Sequence, residues 1–337
     1  MKGGPASEKA VPPPAPTSAW AQQKERSSLP MLRLMRWIAL AAGRPATRLL
    51  LRPIALYYVL FGGAARRASR AYLARALGRP ATWRDGYAHV FTFVTTVLDR
   101  VYLLQERFEE FRFEASNPAA IMAPFERGEG VLAFGAHFGS FEALRMIGHE
   151  KGLRVAMVMY EDNARLINEA LAALVPKARA GEAPKTKLHT IALGRVDAML
   201  SLRRWLDDGG LAGLLADRML PGNPERSRGV AIPFLGAPAL FPDGPFRLAA
   251  MLRRKVVFMA GLHRGGRDYD LRFIELADFS QLGALRGAER DAAIRAGLER
   301  YVATLEALCR EAPYKWFNFY DFWADADTDA SPARAAP

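Results

Sequence analysis

His137 and Glu142 stand in the stretch VLAFGAHFGSFE, residues 131–142. A neutral imidazole there takes a proton from a hydroxyl as the oxygen attacks a carbonyl. A carboxylate on the other ring nitrogen fixes the tautomer and stabilises the imidazolium. On a continuous helix, five positions rotate two side chains about 140° apart. The pair therefore needs a turn, with His137 in a loop after a strand and Glu142 in the first turn of a helix. Gly135 and Gly139 permit such a backbone. Ser140 is suited to the N-cap, and a carboxylate at position 142 is favoured near a helix N-terminus. The same residues also fit a histidine hydrogen-bonded for purely structural reasons. Spacing does not decide, since His263 and Asp268 repeat it.

Other chemistry has less support in the sequence. Ser140 lacks the G-x-S-x-G setting of an activated serine. His137, Glu142 and His149 do not have a metal-ligand spacing, and no metal site is expected. The single cysteine, Cys309, excludes a disulfide framework. It falls on the apolar stripe Ile294, Leu298, Tyr301, Val302, Leu305, Leu308, which reads as one face of a long helix.

The elements that must position His137 are short apolar runs. Val131–Ala136, Arg154–Tyr160, Thr190–Leu193, Leu211–Ala216 and Val256–Leu262 read as buried strands. Helical stretches lie between them at Phe141–Lys151, Ala164–Val175 and Val196–Asp207, the last stopped by Gly209-Gly210. Val256–Leu262 and Asp270–Leu276 read as a hairpin. Strand and helix alternate, so the expected fold is α/β, with a mixed central sheet flanked by helices. Before it, from about Leu32 to Phe125, the pattern is helical, broken at Gly43-Arg44-Pro45, Gly62-Gly63 and Gly78-Arg79-Pro80.

The chain of 337 residues carries a formal net charge of +12. Between Arg26 and Arg84 there is no acidic residue, while arginines alternate with leucines and aromatics. That composition suits a helical segment lying on an anionic membrane surface, where each cation contributes roughly 1 kcal/mol. The apolar run Pro53–Ala65 is short for a span. No zinc-finger, RRM or helix-turn-helix pattern accompanies the charge, so nucleic acid is not an expected partner. The expected organisation is a disordered tail at 1–19, a basic helical membrane-associating region at 20–125, an α/β domain at 126–323 and a second disordered tail at 324–337.

Four segments in order resemble the late acyltransferases of lipid A biosynthesis, within the wider lysophospholipid acyltransferase-like group. They are GAHFGSFE at 135–142, LADR at 215–218, IPFLGAPALFPDGP at 232–245 and PYKWFNFYDFW at 313–323. The resemblance spans about Trp20 to Trp323 and implies an O-acyltransferase. A fatty acyl group would pass from acyl-carrier protein or coenzyme A, as co-substrate, to a glycolipid or related lipid hydroxyl. The reaction would sit at the cytoplasmic face of a bacterial inner membrane, with no cofactor. Carried over by residue, the resemblance makes His137 the general base and Glu142 its partner. It places Asp217, Arg218, Phe234, Gly236 and Arg165 around the substrates. The family's usual N-terminal membrane helix is interrupted here by charge and proline; Arg218 in place of the family's usual glutamine, with the aromatic block near the C-terminus, points to a divergent branch. A membrane-associated glycosyltransferase and a non-catalytic lipid-binding protein are the competing classes.

Overall fold

The computed structural model describes residues 29–160, 189–193, 196–219, 229–281 and 286–324. The expected tail at 1–19, most of the expected tail at 324–337, the helix at Ala164–Val175 and Arg165 lie outside these residues.

The acid-free stretch forms two helices, α1 (Leu29–Phe61) and α2 (Gly63–Leu77), followed by α3 (Trp83–Leu104). Gly43, at φ 73° and ψ 166°, interrupts α1. Pro45 thus falls in the first turn of the second piece, where a missing N–H costs nothing. The start of α3 is set by a capping box: Thr82 Oγ1 accepts from the Asp85 amide at 3.3 Å, and Asp85 accepts from the Thr82 amide at 2.7 Å.

The chain then builds a seven-stranded sheet in the order β1-β9-β8-β2-β5-β3-β4. Its strands are β1 (Arg112–Ser116), β2 (Val131–Gly135), β3 (Val155–Tyr160), β4 (His189–Leu193), β5 (Leu211–Leu215), β8 (Lys255–Gly265) and β9 (Asp268–Asp278). All neighbours are parallel except the β8–β9 hairpin, so the sheet is mixed. A separate hairpin joins β6 (Gly229–Phe234) to β7 (Ala237–Pro242), turning at Leu235 and Gly236 with φ of 49° and 83°. The helices between and after these strands are α4 (Ala119–Glu126), α5 (Arg145–Lys151), α6 (Val196–Asp207), α7 (Gly244–Leu252) and α8 (Ala288–Glu311).

Alternation along β2 assigns its two faces. Leu132 and Phe134 join a core with α2, α6, α7 and α8; Val131 and Ala133 join another with α1, α3, α4 and α5. The expected α/β sheet flanked by helices is thus observed. Two local readings need correction. Arg112–Ser116, inside the stretch read as helical, is an edge strand paired with β9. Its charged, solvent-facing sequence carries little strand signal, and tertiary pairing decides its form. The β6–β7 hairpin was not expected as strands at all.

No single described helix is long and apolar enough to cross a membrane; α1 from Trp37 and α2 meet at a bend of 93°. On α1 the side chains of Trp37, Leu49, Leu50, Tyr57, Leu60 and Phe61 are exposed, Trp37 by 67% and Phe61 by 71%.

Candidate active site

β2 and β5 run parallel and adjacent, with Gly135 opposite Leu215. Each chain leaves the sheet at the same edge, and each places a titratable group two residues further on. The result is a contact between His137 and Asp217. His137 Nδ1 lies 2.8 Å from Asp217 Oδ1, and the His137 amide donates to Asp217 Oδ2 at 3.0 Å. Trp316 Nε1 donates to the same Oδ2 at 3.1 Å. This edge, beyond the carboxyl ends of parallel strands, is where α/β sheets place ligands.

Ionisation follows from the donors. Burial alone pushes the Asp217 carboxyl up, but the charge and hydrogen bond of His137, with Arg218 beside it, hold it well below the usual carboxylate range. An ionised carboxylate only accepts, so Nδ1 of His137 carries the proton and Nε2 presents its lone pair. Burial pushes the imidazole down from 6.5, Asp217 opposes, and the charges of Arg218 and Arg100 push it down further. The His137 side chain is 32% exposed and that of Asp217 1%. The imidazole thus reaches outward from a buried carboxylate.

Glu142 does not fill the role expected for it on the imidazole. Its Oε1 is 2.6 Å from Arg100 Nε on α3, in an ion pair. The physical reason is the short helical turn Glu142–Leu144, which precedes α5 and turns the carboxylate toward α3. Ser140 is buried at the head of this turn, where its Oγ accepts from the Ala143 amide at 3.3 Å. The N-cap position of the turn is Phe141, so Ser140 stands one residue before the N-cap expected for it. The partner on Nδ1 is Asp217, eighty positions along the chain.

The turn itself depends on glycine. Gly139, at φ +68°, bridges to Gly261 of β8, and a Cβ at 139 would sit 2.2 Å from the Gly261 carbonyl. The Ser140 amide donates to Gly261 O at 2.8 Å. The C-terminal segment closes the other side: the Phe317 amide donates to His137 O at 2.7 Å, and the Gly139 amide to Lys315 O at 2.8 Å. The Tyr301 hydroxyl on α8 donates to Gly135 O at 2.9 Å and fixes the end of β2.

The remaining residues that the sequence singled out take different places. Arg218 follows Asp217 directly. Its Nη2 donates to Phe317 O at 3.0 Å, its guanidinium lies over the Tyr320 ring, and its Nε is buried without a protein partner. Phe234 is fully buried against Phe241, Trp316 and Trp323 and supports the site from behind. Gly236 is exposed in the β6–β7 turn. His149 packs on Phe108, and among the described residues no cluster of His, Cys, Asp and Glu converges to hold a metal. His263 contacts Arg44 and the Gly266 carbonyl, away from any acidic residue at its own spacing.

No protein-family model and no curated protein matches this chain. The site is therefore read from its own geometry. A neutral histidine with a free Nε2, a buried carboxylate on Nδ1 and a cation alongside can deprotonate a hydroxyl and stabilise the developing negative charge.

Proposed function

We propose that the protein is an O-acyltransferase that moves a fatty acyl group from a thioester of acyl-carrier protein or coenzyme A to a lipid hydroxyl. The observation that carries this reading is the His137–Asp217 pair at the open end of β2 and β5. In the proposed step, His137 Nε2 accepts the hydroxyl proton as the oxygen bonds to the thioester carbonyl carbon. The tetrahedral oxyanion that forms is met by the charge of Arg218. Its collapse breaks the C–S bond, and the imidazolium returns the proton to the leaving thiolate. Acyl donor, acceptor and enzyme meet in one complex, without an acyl-enzyme. The resemblance in the four ordered segments points the same way, with Asp217 taking the place expected for Glu142 on the imidazole.

A lipid acceptor fits the surface. α1 exposes Trp37, Tyr57 and Phe61 in a stretch without an acidic residue, rimmed by arginines. Arg52, Pro53, Leu56, Trp83, Arg84 and Tyr87 line a groove of about 580 Å³ on this side. An apolar face with cations at its edge suits an anionic bilayer surface. The cytoplasmic face of an inner membrane is the setting in which thioester donors and such a surface coincide.

The test is acyl transfer from radiolabelled acyl-carrier protein or acyl-coenzyme A to extracted membrane lipid, with wild type beside His137→Ala. Labelled lipid from wild type, lost in the variant, supports the proposal; absence of transfer with both donors contradicts it.

A further inference from the structure

We infer that Trp316 is a positioning residue that holds Asp217 against His137, anchored in turn by His89 on α3. The inference rests on the acyl-transfer reading only for its consequence on turnover. The hydrogen-bond path itself is geometric.

Among the described residues Asp217 accepts three N–H groups, and the one supplied from outside the His137 residue is the Trp316 indole, at 3.1 Å. That donor fixes the carboxylate plane so that Oδ1 faces the imidazole. The indole cannot swing away, because its ring is fully buried against Tyr72, Phe234 and Phe322 at centroid distances of 5.0, 5.3 and 4.8 Å. Its backbone bridges to Phe138, next to the base.

The other end of Trp316 is tied to the helical layer. Its carbonyl lies 2.8 Å from His89 Nε2, and His89 Nδ1 lies 2.8 Å from Ser69 Oγ on α2. A carbonyl only accepts, so Nε2 carries the proton and Nδ1 accepts from the Ser69 hydroxyl. His89 is fully buried and stacks on Phe319 at 4.6 Å. One continuous path thus runs from Ser69 through His89, Trp316 and Asp217 to His137, joining α2 and α3 to the reacting edge of the sheet.

An indole N–H favours the ionised carboxylate and draws electron density from it. Without that donor, Asp217 becomes a stronger acceptor for the imidazolium, and the protonated form of His137 gains. The other groups facing the pair do not change in sign. Arg218 and Arg100 disfavour the imidazolium, and Glu142 is held by Arg100. Tyr301 and Cys309 face Asp217, and burial raises both above their usual values, so they stay neutral at physiological pH.

The experiment is NMR of the full chain in lipid nanodiscs, without substrate, following the His137 imidazole nitrogens and the Trp316 indole N–H against pH. The indole resonance is expected to titrate with the midpoint of His137, because the two share one carboxylate. Trp316→Phe is expected to raise the His137 midpoint by about one pH unit. Trp323→Phe removes a neighbouring indole, which donates to Phe234 O at 3.3 Å, and is expected to leave the midpoint in place. An indole resonance that stays still while His137 titrates overturns the inference, and that measurement needs no substitution. Equal displacement by both variants overturns it too. Both readings are made without donor or acceptor. A protein with coupled titration and no acyl transfer would therefore overturn only the functional proposal.

Discussion

His137 Nδ1 and Asp217 Oδ1 are 2.8 Å apart although eighty residues separate them. Glu142, only five positions from His137, is bound to Arg100 instead. The two carboxylates are therefore placed differently, Asp217 in direct contact with the imidazole and Glu142 in an ion pair with α3. Glu142→Gln is expected to keep the imidazole tautomer and to lower the acyl-transfer rate by about tenfold or less. A loss of hundreds-fold in kcat, in a folded variant, would show that Glu142 acts on the base itself.

The pH dependence of turnover has a defined sign. In the proposed reaction His137 works as a base only when neutral, and burial pushes its midpoint below 6.5. kcat/KM should therefore be level near neutral pH and fall as the pH drops through a midpoint below 6.5. A pH–rate profile with its acid limb above 7 is incompatible with this base.

His89 makes a separate contribution, to stability. Burial lowers its pKa from 6.5 to about 4, against a weaker opposing hydrogen bond to Trp316 O. Between these values the unfolded chain binds a proton that the folded chain does not. Stability is therefore fully present above about 6.5 and is lost as the pH falls toward 4. The whole change is roughly 3 kcal/mol for this group. His89→Gln should be less stable than wild type at pH 7.5, and the gap should narrow at pH 4.5. Urea midpoints at the two pH values measure this, and a constant gap would count against it.

The exposed face of α1 predicts binding to anionic vesicles. Full burial of a large apolar side chain is worth about 1.5–3 kcal/mol. Trp37→Ser combined with Phe61→Ser should weaken co-sedimentation with phosphatidylglycerol vesicles by tenfold or more, and added salt should weaken the wild type. Unchanged binding by the double variant would remove this face from the membrane contact.

The sequence made some of this site readable and hid the rest for physical reasons. The apolar run ending at Gly135, followed by His137 and Gly139-Ser140, exposes a strand-to-helix turn. Alternation of short apolar runs with helical stretches is enough to expect the sheet. The partner of His137 is set by parallel registration of β2 with β5, a relation that no local spacing encodes. A signal was nonetheless present: Leu211–Ala216 is an apolar run that ends just before Asp217, as Val131–Ala136 ends just before His137. Two adjacent parallel strands with titratable groups at matching offsets bring those groups together. Trp316 is legible only as one of many aromatics, since the role proposed for it depends on a single indole N–H. Arg112–Ser116 read as helical because its edge position demands little of its side chains.

The central claim is that His137 and Asp217 act as one base in acyl transfer. Its most direct test is single-turnover transfer from a radiolabelled acyl thioester to lipid by wild type, His137→Ala, Asp217→Asn and the double variant. The account predicts that each single variant loses about a hundred- to ten-thousand-fold and that the double variant is little worse than His137→Ala. Undiminished transfer by a folded His137→Ala protein, or losses that multiply in the double variant, would contradict it.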